Sequence, residues 1–172
     1  MKALGKGSIA SFLAAGLHVA RVVIFIAFFG LAIASIVLPF LPLLADLATR
    51  SDQLNFEGDA VFEVSDIIEV LYYFVTFGVL LYIVNRLLEI LRTLRFGSPF
   101  VKENAVRFQR VGFALLFGEI AKIVFAVLSM ASDADIDLDI ELFNWIGIAA
   151  VFVLAEVFHE GAKMKEEQDL TV

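Results

Sequence analysis

Four long apolar runs separated by polar links dominate the chain, at about Leu17 to Leu38, Ile67 to Leu88, Val111 to Met130 and Leu142 to Phe158. Each approaches the ~20 residues with which a helix crosses the ~30 Å hydrocarbon core of a bilayer, so the pattern predicts four membrane-spanning helices. Pro39 and Pro42 punctuate the end of the first run in "LPFLPLL". The missing amide hydrogen and the restriction on the preceding residue predict that the helix stops there. The second and third runs continue in helical pattern beyond their apolar parts and meet at "FGSPF". Gly97 suits a left-handed helix stop, Ser98 a cap and Pro99 the first position of the next helix. One helix is therefore expected from about Asp66 to Phe96 and another from Pro99 to Met130. Both are longer than a bilayer is thick, so their hairpin should project from it. On its first arm Arg86, Glu89 and Arg92 recur every three residues and can pair, and on the second Val101, Ala105, Phe108 and Gly112 continue an apolar stripe.

The other two links follow a different rule. "DADIDLDIELF" sets Asp133, Asp135, Asp137, Asp139 and Glu141 in alternation with Ile136, Leu138, Ile140 and Leu142, the period of a half-buried strand. "AVFEV", Ala60 to Val64, has strand-like composition after a turn-prone "EGD". The expected fold is an all-α integral membrane protein of one domain. It is a four-transmembrane-helix bundle whose long second and third helices form a cytoplasmic hairpin, with a small extracytoplasmic β-sheet and a tail over 159–172.

Composition agrees with the pattern: 60% of residues are hydrophobic, against roughly 45–50% in soluble domains, and the mean hydropathy is +0.89. The net charge of −7 conceals a segregation that matters more. Lys2, Lys6 and Arg21, then Arg86, Arg92, Arg95, Lys102, Arg107 and Arg110, then Lys163 and Lys165 all fall on one side of the predicted spans. The other two links hold Arg50 as their only cation, among many carboxylates. Positive charge is retained on the cytoplasmic face, so both termini are expected on the cytoplasmic side of the membrane. A cleaved signal peptide ending near "AIAS" is the rival reading, disfavoured by the length of the apolar run and by Arg21. The chain has no cysteine, which excludes disulfides, thiolate metal sites and cysteine nucleophiles.

Candidate chemistry centres on Glu119 and Lys122, three residues apart in the third run and so on one helix face. Intramembrane ionisable residues are functional suspects by default, but the structural alternative is a mutually neutralising pair that fixes helix packing. Gly112, Ala126 and Ser129 extend that face as a small, polar stripe of the kind that packs between membrane helices. Arg21, His18, Tyr82, Asn85 and Glu156 fall near the same leaflet on other spans and could join Glu119 and Lys122 in a buried polar cluster. Asp133, Asp135 and Asp137 match the first ligands of an EF-hand loop, but Leu138 and Asn144 occupy its glycine and glutamate positions. His18 and His159 lack a nucleophile motif or the zinc-helix spacing, so no enzyme, cofactor or metal is expected. The six cations of the hairpin are explained by topology and attraction to anionic lipid, without direct nucleic-acid contact. Ala20, Ala27 and Ala34 offer a small-residue face for packing within one bundle or between copies in a homo-oligomer.

Two stretches carry a further resemblance, "GSPFVKENAVRFQRVG" and "LAEVFHEGAKMKEEQDLTV". With them the chain is similar, over most of its length, to the uncharacterised bacterial four-span membrane family catalogued as domain of unknown function twenty-nine seventy-five. The likeness is most specific at an elbow, Gly97, Pro99, Phe100, Glu103 and Asn104, and at Glu156 and a tail, Gly161, Glu167, Asp169, Leu170 and Thr171. No catalytic residues are carried over with it. The resemblance implies a small helix-turn-helix regulator as a cytosolic partner. The reading that follows is a non-enzymatic regulator or scaffold that docks such a partner through the basic hairpin and the tail. The alternative is a small transporter or channel with a Glu119/Lys122 polar path.

Overall fold

A computed structural model of the chain describes residues 9–43, 63–96, 99–132 and 134–170. They form four long helices: α1 (Ile9–Val37), α2 (Val64–Phe96), α3 (Lys102–Ser129) and α4 (Leu142–Asp169). Each is long and apolar enough to cross a bilayer, so this is a multi-pass membrane protein. No strand occurs among the described residues.

The regular α-helix ends at Val37, just before Pro39, but the chain does not turn away there. α1 tightens into a 3₁₀ turn over Leu38–Phe40, closed by the Leu41 amide on the Leu38 carbonyl, and the chain stays helical to Leu43. A proline removes one hydrogen bond of the α ladder, and a 3₁₀ turn absorbs that loss without reversing the chain. α2 starts where Asp66 accepts the Glu63 amide at 2.9 Å, half of a capping box. α3 starts at Lys102, three residues after the position that Pro99 suggested. Residues 99–101 instead form a turn, with the Val101 amide on the Pro99 carbonyl at 3.2 Å, and no side chain caps the helix at Val101. Gly97 and Ser98, the expected stop and cap, lie outside the described residues.

The expected outer sheet is absent from the described residues. Segment 134–141 spends its amides locally, Ile136 on the Ala134 carbonyl and Asp139 on the Asp137 carbonyl, in tight three-residue turns. It is pinned by its neighbours: Asp135 N donates to Glu69 of α2 at 2.9 Å, and Ser129 Oγ of α3 donates to the Ile136 carbonyl at 3.0 Å. Alternating side chains suit a strand, but a strand also needs a partner ladder. Residues 60–62 of the proposed partner are outside the described part, and Val64 already belongs to α2.

Among the described residues the helices pack in chain order, α1 on α2, α2 on α3 and α3 on α4, as an open row that α1 and α4 do not close into a ring. A row buries little, and large apolar side chains such as Phe12, Phe29 and Phe143 face outward. In water that surface would drive aggregation, whereas lipid is its natural solvent. Close packing concentrates where α2 and α3 meet, the elbow end. Ile90, Asn104, Ala105, Val111, Ala155, Gly161 and Ala162 are buried there. A Cβ on Gly161 would stand 2.5 Å from Phe100 Cδ1, and one on Gly112 would stand 3.0 Å from the Phe152 ring. These two glycines are the slots through which α4 approaches the elbow and α3.

Filling the Gly161 slot must displace a packed ring, so Gly161→Ala is expected to destabilise the protein by ~1–3 kcal/mol. Shrinking the ring in the double variant Gly161→Ala/Phe100→Leu should recover part of that loss. Unfolding of the two singles and the double in one detergent measures the coupling, and strictly additive losses would dissociate the two residues.

Candidate functional site

The elbow is organised by one side chain. Asn104, in the first turn of α3, has no solvent exposure. Its Nδ2 donates to the Pro99 carbonyl at 2.9 Å, fixing the turn that precedes the helix. Its Oδ1 accepts from the Thr93 hydroxyl of α2 at 2.8 Å and from Arg107 Nη1 at 2.9 Å. Arg107 also reaches across to α2, where its Nε donates to Glu89 Oε2 at 3.3 Å. Glu89 takes both of its shorter contacts from Arg86 Nη1, at 2.8 and 3.0 Å. The hairpin expectation of an Arg86–Glu89–Arg92 ladder is thus half met, since the second cation on Glu89 comes from α3 and not from Arg92.

The turn that Asn104 fixes aims Phe100 at α4. Its ring lies 5.5 Å from that of Phe158, which in turn lies 4.8 Å from Phe108, and it fills the space over Gly161. Lys102 Nζ pairs with Glu166 Oε2 at 2.6 Å on the surface above. Both partners are more than half exposed, so the pair adds little energy and serves mainly to register the two helices. Pro99, Phe100 and Asn104 of the elbow and Gly161 of the tail segment therefore meet in one structural unit. Beside it a cleft of about 310 Å³ is bordered by Glu103, Lys165, Asp169 and Leu170, and Leu170 is 82% exposed. α4 continues to Asp169, so residues 159–169 of the tail are helical. Glu167 lies on the exposed side of that last turn, and Thr171 falls outside the described residues.

Glu119 and Lys122 do not form an ion pair. Glu119 Oε1 instead accepts from Asn144 Nδ2 of α4 at 2.9 Å. Asn144 lies in the first turn of α4, so this contact places the start of α4 well down the flank of α3. Glu119 therefore sits close to charged chain and not in a wholly apolar surround. It borders two clefts, one of about 190 Å³ shared with Lys122 and Thr76 of α2, the other of about 320 Å³ shared with Asn144 and Gly147 of α4. The small-residue stripe otherwise lies as expected, with Gly112, Ala126 and Ser129 buried on α3.

The wider polar cluster does not assemble around Glu119. Glu156 is exposed on α4. Arg21, Tyr82 and Asn85 gather elsewhere, with Ala14 and His18 of α1 and with Arg86, Glu89, Arg92 and Arg95 of α2, around a cavity of about 590 Å³ between α1 and α2. Its walls follow helical spacing, positions 14, 18 and 21 on one side and 82, 85, 89 and 92 on the other. Arg86 lies over the Tyr82 ring, its Cζ 5.0 Å from the centroid, and Arg21 lies 5.7 Å from the Phe25 centroid. Sequence reasoning assigned Arg86 and Arg92 to pairing with Glu89, and the hairpin cations together, Arg95 among them, to topology and attraction to anionic lipid. The signal that could have placed them was their spacing against His18 and Arg21.

A family model described as "Protein of unknown function (DUF2975)" matches residues 47–172. The matched stretch contains the elbow, the Asn104 network and the tail, and α1 precedes it. No curated protein and no solved structure matches the chain.

Removing the donor to a shielded carboxylate leaves the carboxylate unsatisfied, so Asn144→Ala should cost ~1–3 kcal/mol. Lys122→Met removes no hydrogen bond and should stay within about 0.5 kcal/mol of wild type. Chemical denaturation of both variants in the same detergent compares them. A loss at Lys122 as large as that at Asn144 would restore the ion-pair reading.

Proposed function

The chain belongs to the DUF2975 family of proteins of unknown function, and from that membership and its elbow geometry we propose a non-enzymatic scaffold that holds a cytosolic protein at the bacterial inner membrane. The elbow end faces the cytoplasm in this reading, because the cations at that end obey the positive-inside bias. The observation that carries the proposal is the lock between Phe100 and Gly161 beneath a fully buried Asn104. The lock preorganises a surface of two helices outside the apolar spans, and preorganisation lowers the entropic cost of recognition. The cleft beside it offers apolar Leu170 and Val101 among charges of both signs, Lys102, Lys165, Glu103 and Asp169, a composition suited to a protein surface. A small DNA-binding regulator is the partner that the family resemblance implies, and the scaffold would act by retaining it away from DNA.

A transport path through Glu119 and Lys122 is the second reading, favoured by the position of Glu119 between two clefts. It has weaker support, since an open row encloses no central lumen within one copy among the described residues.

The docking surface is tested by in vivo crosslinking of the full-length protein followed by purification from membranes. Glu103→Lys/Leu170→Asp should lower recovery of the crosslinked partner by about tenfold, the effect of losing ~1.4 kcal/mol at the interface, while its melting temperature stays that of wild type. Asp137→Asn at the other end should leave recovery unchanged. Equal recovery from the cleft variant and wild type would rule out docking at this surface.

A further inference from the structure

The cavity between α1 and α2 is unrelated to the docking cleft and is built for a different ligand. We propose that it binds a phosphate oxyanion, presented by the headgroup of an anionic phospholipid such as phosphatidylglycerol.

Charge is the first support. Arg21, Arg86, Arg92 and Arg95 line the cavity against a single carboxylate, Glu89. That carboxylate is already committed to Arg86 and to Arg107 of α3. Among the described residues Arg21 and Arg92 have no ion-pair partner. Arg86 is held in place by its Nη1, which donates to both carboxylate oxygens of Glu89, and by the Tyr82 ring, yet among the described residues its buried Nε has no hydrogen-bond partner. Buried donors are normally satisfied, and a guanidinium fork matches the oxygens of a phosphate. Size agrees as well, because about 590 Å³ falls in the ~300–1,000 Å³ range of small-ligand sites.

Position selects the lipid over a free anion. Directly beyond the cavity, α1 carries no charge from Val22 to Leu38 and α2 none from Val70 to Asn85. The cavity therefore lies at the boundary between basic and apolar surface, the level of a headgroup. Val22, Phe25, Ile26 and Phe29 are exposed along α1 beyond Arg21, so acyl chains have an apolar face to lie against. Among the described residues α1 has its main packing against α2, which leaves the site open to lipid entering sideways from the bilayer.

Lipid binding is read by native mass spectrometry of the delipidated full-length protein, titrated with phosphatidylglycerol or phosphatidylcholine, and by its melting temperature in each lipid. One phosphatidylglycerol should be retained with at least tenfold preference over phosphatidylcholine. Arg21→Gln/Arg92→Gln should abolish that preference without lowering the melting temperature of the lipid-free protein, since neither residue has an ion-pair partner to lose among the described residues. Lys163→Gln/Lys165→Gln, which removes the same charge outside the cavity, should retain the preference. Loss in both double variants would mean diffuse charge attraction and overturn the site. Inorganic phosphate or glycerol phosphate alone should raise the melting temperature far less than phosphatidylglycerol does. An equal rise would overturn the assignment to lipid, and an unchanged preference in Arg21→Gln/Arg92→Gln would overturn the proposal altogether.

Discussion

A buried amide at the first turn of α3 is the constraint on which the rest of the elbow end depends. Asn104 spends its donor on the Pro99 carbonyl and its acceptor on Thr93 and Arg107, with no exposure to water. Those contacts fix three things together: the turn, the second arm of the hairpin and the distance between arms. The turn in its place directs Phe100 into the Gly161 slot, which sets where α4 lies. Through Arg107 the network runs on to Glu89 and Arg86, and so to the wall of the α1–α2 cavity. Networks of this kind are strong when every member is satisfied and costly when one is lost.

The membrane-spanning part works by other rules. Lipid tails are as apolar as the side chains they touch, so no hydrophobic drive pulls the helices into a closed ring. Small residues and shaped contacts decide what packs. Gly112 receives the Phe152 ring, Gly118 lies against Val79, and Phe28 meets Phe74 edge-on at 5.1 Å. The outcome is a row whose two broad faces meet lipid and whose order follows the chain. Close packing gathers at the elbow end, and that is also where charges of both signs are displayed.

Much of this architecture is legible in the sequence because a bilayer restricts what an apolar run can be. Run lengths alone place the four helices, and "FGSPF" places the elbow between two of them. Family-like positions point to Phe100, Asn104 and Gly161, although nothing local reveals that the first fills the slot left by the last. What fails to read is whatever depends on a partner distant in the chain. Glu119 and Lys122 share a face, but the choice of Asn144 over Lys122 is made by the depth at which α4 begins. The acidic alternation has the period of a strand, and yet its amides turn inward on Ala134 and Asp137. Pro39 reads as a stop, and α1 does end at Val37, but sequence alone does not show the 3₁₀ turn that keeps the chain helical beyond it. Arg86, Arg92 and Arg95 read as topology because a positive residue near a span end has that meaning whether or not it also lines a cavity.

Amide hydrogen–deuterium exchange tests the Asn104 account most directly, comparing wild type with Asn104→Ala in the same detergent. Loss of the amide should speed exchange across residues 99–108 and, through Phe100, across 158–166 of α4, while residues 72–80 of α2 keep their protection. Unchanged protection over both 99–108 and 158–166 would contradict the claim that this side chain holds the elbow and α4 together.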